Sequence, residues 1–232
     1  MNEQFVVPSL GACRIQSPLP LSTSSEEDNF RFVEDSQRIL YQATFNDLNQ
    51  HELFGGESPV SFEAAGPRAM TFFDASKVRV GIVTCGGLCP GINNVIRALV
   101  MQMYHNYGVR KIYGFRYGFQ GFIPKYRHDI MELTPDTVVN IHHQGGSILS
   151  SSRGPQDIGE IVDCLDRHTI KILFCIGGDG TLRGAHAIAQ EVKARDLKIA
   201  VIGVPKTIDN DISYCSKTFG FETAFSKAVE AV

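Results

Sequence analysis

Two aspartates two residues apart, Asp209 and Asp211, follow an apolar run and share a segment with Lys206 in Gly203-Val-Pro-Lys-Thr-Ile-Asp-Asn-Asp211. Charge placed next to a buried run is costly unless something uses it. Neighbouring carboxylates push their pKa values apart, which leaves one as a base and turns the other to a cation. A general base of this kind contributes ~10² to 10⁴ in rate. Asn and Asp also build solvated turns, so this segment alone fits either reading.

A second segment, Cys175-Ile-Gly-Gly-Asp-Gly-Thr181, sets Asp179 among Gly177, Gly178 and Gly180. A carboxylate with open space around it suits a Mg²⁺ ion that keeps several waters and bridges a nucleotide's phosphates. Thr181 serves either to cap a helix or to donate to a phosphate. An N-cap alone would explain an Asp or Thr before Leu182, Ala185, Ile188, Ala189 and Val192, but three glycines exceed what a cap needs. A third segment, Thr84-Cys-Gly-Gly-Leu-Cys-Pro-Gly-Ile-Asn93, has Gly86 and Gly87 where the backbone can turn tightly and approach an anion at a helix N-terminus. Pro90 suits that helix's first turn. An ordinary strand-to-helix turn has the same look. The spacing is not G-x-G-x-x-G, no acid follows Phe115-Arg116, and no Gly-Lys-Ser/Thr is present. A dinucleotide fingerprint and a Walker A loop are thereby excluded.

Alternating elements must position these segments. Val78–Thr84 reads as a strand, and Ile92 to Tyr104 as a helix with apolar Ile92, Val95, Ile96, Leu99, Val100 and Met103 at spacings of three and four. Val109–Phe115 is a strand, the Tyr117–Phe122 aromatics are packing residues, and a helix starts at Pro135. The polar run Gly145–Gly154 precedes a helix at Ile158–Arg167, a strand at Ile170–Ile176, a helix at Thr181–Ala194, a strand at Ile199–Val204 and a helical pattern at Phe221–Val229. The expected class is α/β, a doubly wound, mostly parallel sheet with helices on both faces. Its ligands belong at the carboxyl ends of the strands, so all three segments fall on one rim. Residues 1–75 differ: Ser9–Ser25 and Pro59–Pro67 lack periodicity and predict an irregular N-terminal arm with one helix near Asp35 to Leu48. Residues 76–232 are expected to form a nucleotide-binding α/β domain together with the start of the catalytic and substrate region, and residues 1–75 an N-terminal extension.

The chain has 232 residues, with 22 basic and 25 acidic side chains and a net charge of −3, which argues against a phosphate-backbone reader. No apolar run is long enough to span a bilayer. Six cysteines without a C-x-x-C pair read as reduced thiols, and the early Glu3, Glu26, Glu27 and Asp28 fit neither a signal nor a transit peptide. A cytoplasmic protein is expected. His142, His143 and His186 have no partner at zinc spacing.

Taken in order, Thr84–Asn93, Gly177–Thr181 and Pro205-Lys-Thr-Ile-Asp-Asn-Asp-Ile212 resemble the 6-phosphofructokinase family. The nearest resemblance is to the long ATP-dependent type of plants and some protists and bacteria, where the arm carries a segment similar to Ala65-Gly-Pro-Arg68. It extends over Phe62 to Val232. The resemblance implies transfer of a phosphoryl group from Mg·ATP to the 1-hydroxyl of fructose 6-phosphate in glycolysis, giving fructose 1,6-bisphosphate. Gly86, Arg153, Gly154, Gly178, Asp179, Gly180 and Thr181 would line the ATP site, with Asp179 on Mg²⁺. Asp209 would take the hydroxyl proton, Thr207 and Ile208 would hold the sugar, and Asp211 would assist near the metal. Gly180 points to ATP, because relatives that use pyrophosphate carry an acid there that would repel an α-phosphate. Lys206 accompanies pyrophosphate use in many relatives but also occurs in the long ATP-using type. A homo-oligomer, dimer or tetramer, is implied for the full length.

Members of the family continue well past the equivalent of Val232, so the expectation is a chain that stops short of the usual length. Three alternatives stand beside the main reading. They are a pyrophosphate-dependent enzyme, an inactive nucleotide-binding fragment that pairs with full-length subunits, and a lipid or dinucleotide kinase, in which Gly-Gly-Asp-Gly-Thr also occurs.

Overall fold

The computed structural model describes residues 6–22, 31–41 and 60–232. The chain divides into two compact units, Met1–Phe73 and Asp74–Val232. In the first, β1 (Ile15–Gln16) pairs with β4 (Met70–Thr71), and β2 (Arg38–Leu40) with β3 (Ser61–Glu63), both antiparallel. The expected helix near Asp35 is therefore corrected: Arg38–Leu40 is a strand, with Ile39 opposite Phe62. Its partner lies more than twenty residues along the chain, and such distant pairing overrides local propensity. Residues 42–48 of that expected helix lie outside the described residues.

The second unit is built on five strands in the order β7-β6-β5-β8-β9. They are β5 (Arg79–Thr84), β6 (Lys111–Phe115), β7 (Ile130–Glu132), β8 (Ile170–Gly177) and β9 (Ala200–Pro205). All pairings are parallel except that of β7 with β6. After β5 the chain moves to β6 on one side and later returns to β8 on the other. The crevice between the carboxyl ends of β5 and β8 is thus the topological switch point where α/β sheets bind ligands. Helices cover both faces, as the alternating pattern requires. Val83, Phe115, Leu173 and Cys175 join a core with Ile161, Val162 and Leu165 of α3 (Ile158–Arg167) and Ala185, Ile188 and Val192 of α4 (Asp179–Ala194). On the other face Val80, Ile82 and Ile112 are fully buried, as are Ile96 and Val100 of α1 (Ile92–Met101).

Several boundaries differ from the sequence reading. Helix α1 passes into a π-helical turn at Gln102–Asn106, and Pro90 lies before its N-cap, Gly91, outside the first turn. Tyr117–Phe122 includes a 3-10 turn whose Phe119 and Phe122 are buried in the core, as packing residues should be. Strand β7 has no sequence signal of its own, because three residues of mixed polarity do not reveal a period. Between β7 and α3 stands the short α2 (Pro135–Val138), and α5 (Phe221–Ala231) follows the acidic segment. No helix among the described residues is long and apolar enough to cross a membrane.

Candidate functional site

A cavity of about 890 Å³ opens at the tips of β5, β8 and β9. Its lining includes all the residues given a site role in the sequence analysis: Gly86, Arg153, Gly154, Gly178, Asp179, Gly180, Thr181, Lys206, Thr207, Ile208, Asp209 and Asp211. The volume lies in the range of small-molecule sites.

The loop after β5 is zipped to the serine-rich run. Gly86 has φ +80, a left-handed conformation that favours glycine, and a Cβ there would meet no atom within 4 Å. Its N–H donates to the Ser152 carbonyl (3.0 Å), while Ser151 Oγ donates to the Gly86 carbonyl (2.6 Å). Thr84 Oγ1 donates to the Ser150 carbonyl (2.7 Å). Asn93, buried at the start of α1, donates through Nδ2 to the Gln144 carbonyl (3.0 Å) and accepts from the Ile148 N–H (2.9 Å). Arg153 at the end of this run is exposed and makes no hydrogen bond or ion pair with a described residue. A guanidinium held at the mouth of a cleft with its donors uncommitted suits an anion.

After β8 the helix begins at Asp179, two residues earlier than its apolar pattern suggests. Gly178 is the N-cap and no side chain caps the end, so neither Asp179 nor Thr181 is present merely as a cap. No side chain caps the N-terminal end of α4, and an uncapped helix end suits an anion such as phosphate. A Cβ on Gly177 would collide with the Thr181 side chain, so glycine is required where strand turns into helix. A Cβ on Gly180 would meet nothing within 4 Å, which leaves the space beside Asp179 open. The Asp179 carboxylate, 69% exposed, pairs with Arg183 at 3.1 Å. No group of three or more potential metal-ligating side chains occurs among the described residues. A single accessible carboxylate beside a phosphate cradle fits a hydrated Mg²⁺ carried in with phosphates rather than an all-protein cage.

The segment after β9 is fixed by its own backbone and by Thr218. Lys206 is only 5% exposed; its N–H donates to the Gly177 carbonyl (2.9 Å), and its Nζ donates to the Gly87 carbonyl. It therefore ties all three strand-tip loops together. Thr207 Oγ1 donates to Asp211 Oδ1 (2.7 Å) and accepts from the Asp209 N–H (3.1 Å). Thr218 Oγ1 donates to the Thr207 carbonyl (2.9 Å), and its N–H donates to Asn210 Oδ1 (2.8 Å). The Asp209 carboxylate makes no hydrogen bond or ion pair with a described residue, while the Asp211 carboxylate accepts from Thr207. The two carboxylates thus occupy different settings on one turn.

Burial pushes the Cys85 thiol up to about 12, and it holds Cys89 and Cys175 above the ordinary value as well. These thiols are apolar fillers at neutral pH. The sequence reading missed Arg183, Asn93 and Thr218. Arg183 was findable from its place one turn after Asp179; Asn93 and Thr218 act through partners far along the chain, which no local pattern shows.

Fold and site together define an α/β protein that gathers glycine-lined strand-tip loops, an uncapped helix N-terminus, an accessible carboxylate and an acidic turn at one switch point. The phosphofructokinase family matches residues 79–232, and the chain belongs to it. An ATP-dependent 6-phosphofructokinase of Amycolatopsis methanolica is 47% identical over 96% of this chain and 48% of its own length. One of Trypanosoma cruzi is 45% identical over 92% of this chain and 48% of its own length. This chain thus spans about half the length of these curated relatives. Among solved structures, a pyrophosphate-dependent phosphofructokinase of Marinobacter aquaeolei shares the fold with a TM-score of 0.58 at 21% identity, over 66% of this chain and 41% of that one. The Pichia pastoris phosphofructokinase has a TM-score of 0.58 at 21% identity, over 68% of this chain and 17% of that one.

Proposed function

We propose that this chain supplies the nucleotide-binding and catalytic half of an ATP-dependent 6-phosphofructokinase acting on fructose 6-phosphate. The observation that carries this reading is the meeting of three strand-tip loops in one cavity, with Asp179, Lys206, Arg153 and the Asp209/Asp211 turn on its walls. Phosphoryl transfer needs positioning and neutralisation of charge more than covalent help from the protein. Gly86, Gly178, Gly180 and Thr181 cradle the donor's phosphates, and Arg153 and Gly154 close that site. Mg²⁺, when bound, would neutralise phosphate charge, and Asp179 is the residue that would hold it. Thr207 and Ile208 position the sugar. Asp209, whose carboxylate has no partner among the described residues, accepts the proton of the 1-hydroxyl, and Asp211, held by Thr207, orients the acidic turn. The open space at Gly180 favours a nucleotide over pyrophosphate.

Residues 76–232 are the catalytic domain in this reading, and residues 1–75 an extension of it. The full-length protein is a cytoplasmic homo-oligomer, dimer or tetramer. The test has two arms. A non-hydrolysable ATP analogue is titrated into this chain, and fructose 6-phosphate turnover is followed in a protein carrying this chain within the length of its relatives, with ATP and pyrophosphate offered separately. Analogue binding and turnover with ATP are expected. Faster turnover with pyrophosphate would reverse the donor, and absence of nucleotide binding would remove the reading.

A further inference from the structure

One cation on the cavity wall has no part in the scheme above. Arg183 stands on α4 one turn after Asp179, and its Nη1 donates to Asp179 Oδ2 at 3.1 Å. Both side chains are open to solvent, 76% for Arg183 and 69% for Asp179, and both line the cavity. The other two cations of the lining differ. Lys206 is buried and held by the Gly87 carbonyl, and Arg153 has no ion-pair partner among the described residues. Arg183 alone is engaged with the very carboxylate that the donor site needs.

Long side chains on a helix lean toward its N-terminus, so the guanidinium lies over the first turn of α4. That turn presents uncapped N–H groups that suit a phosphate. An exposed ion pair one turn apart on a helix is weak and screened by salt, so Asp179 can leave it at little cost. A guanidinium released there has the fork geometry that phosphate oxygens accept.

We propose that Arg183 is a partner-exchanging residue: it holds Asp179 while no divalent cation is bound, and it turns to a nucleotide phosphate once a cation takes the carboxylate. The inference rests on the Mg·ATP reading given above. Its consequence is that cation and nucleotide bind cooperatively through Arg183, each raising the affinity for the other by the same factor. Without a cation, the Asp179 charge and the Arg183 charge cancel each other, and the phosphate gains nothing from the guanidinium.

The experiment is a calorimetric titration of a non-hydrolysable ATP analogue into the chain and its Arg183→Gln, Asp179→Asn and doubly substituted variants, each with Mg²⁺ and with EDTA. Both positions are exposed on one helix, and matching thermal melts verify that the variants are folded. With Mg²⁺, Arg183→Gln weakens binding about tenfold, and Arg183→Lys, which keeps the charge but not the fork, weakens it less. With EDTA, Arg183→Gln weakens binding only by the small repulsion of the freed Asp179 carboxylate, much less than it does with Mg²⁺. Asp179→Asn, which releases Arg183 without any cation, tightens binding in EDTA by about threefold to tenfold, and the gain disappears in the double variant. If Asp179→Asn tightens binding equally with and without Arg183, only removal of a negative charge is at work and the exchange is overturned. An Arg183→Gln loss equal in Mg²⁺ and EDTA overturns it too. If the wild type binds no nucleotide under either condition, the nucleotide reading fails, and the exchange fails with it.

Discussion

Asp209 and Asp211 sit two residues apart on one turn, yet Thr207 donates to Asp211 and not to the Asp209 carboxylate. That difference is why the proposed function gives the proton-accepting role to Asp209 rather than to Asp211. In the catalytically complete protein, Asp209→Asn is expected to lower kcat by ~10² to 10⁴ while nucleotide affinity changes little, measured by steady-state kinetics beside calorimetry. Gly180→Asp would place a second carboxylate in the open space beside Asp179. It should weaken binding of the ATP analogue by about tenfold or more and leave thermal stability nearly unchanged, because no atom lies within 4 Å of the new Cβ. At Cys85, burial lifts the thiol pKa from 9.0 to about 12. Its neutral form therefore stabilises the fold fully below about pH 9, and that contribution is lost as pH rises through about 12. Thiol labelling of the folded chain at pH 8 should mark the exposed Cys13 and spare Cys85 and Cys175 until denaturant is added. Rapid labelling of Cys85 in the native chain would contradict its burial.

At the scale of elements, the rim depends on groups that never face the cavity. Asn93 at the start of α1 fixes both ends of the Gln144–Ile148 turn, which leads into the serines that bond to Gly86. Asn93→Ala would leave the Ile148 N–H and the Gln144 carbonyl without this partner. A loss of about 1–3 kcal/mol in denaturant melts is expected, together with weaker analogue binding. A variant with unchanged stability would show that the loop holds itself. Alternating apolar runs made the four parallel strands and the helices α1, α3 and α4 legible, because burial on a parallel sheet requires such patterns. Strands β2 and β7 were not legible. Each is three residues long and exists because a distant segment pairs with it, so its cause lies outside its own sequence. The start of α4 at Asp179 escaped for a related reason: glycines carry no periodic signal, and the helix there is continued backward by the strand end it follows.

Across the whole second unit, apolar surface is unevenly covered. The edge strand β9 leaves Ile202 38% exposed, and α5 leaves Phe225 51% and Val229 71% exposed. An uncharged edge strand invites pairing with another chain. The purified chain is expected to self-associate as its concentration rises in light scattering, and Ile202→Lys with Val229→Lys should reduce that association without loss of analogue binding. A chain that stays monodisperse without these changes would show that the edge is protected. The sequence by itself determined the class of fold and the identity of the groups on the rim, since glycines, acids and a lysine placed after apolar runs follow from local sterics and from the cost of burying charge. Only the tertiary structure decided which of these groups meet and which are already engaged. Lys206 bound to the Gly87 carbonyl, Arg183 bound to Asp179 and Thr207 bound to Asp211 are products of strand order and loop closure. Those depend on contacts between residues far apart in the chain, and such contacts leave no mark in local spacing.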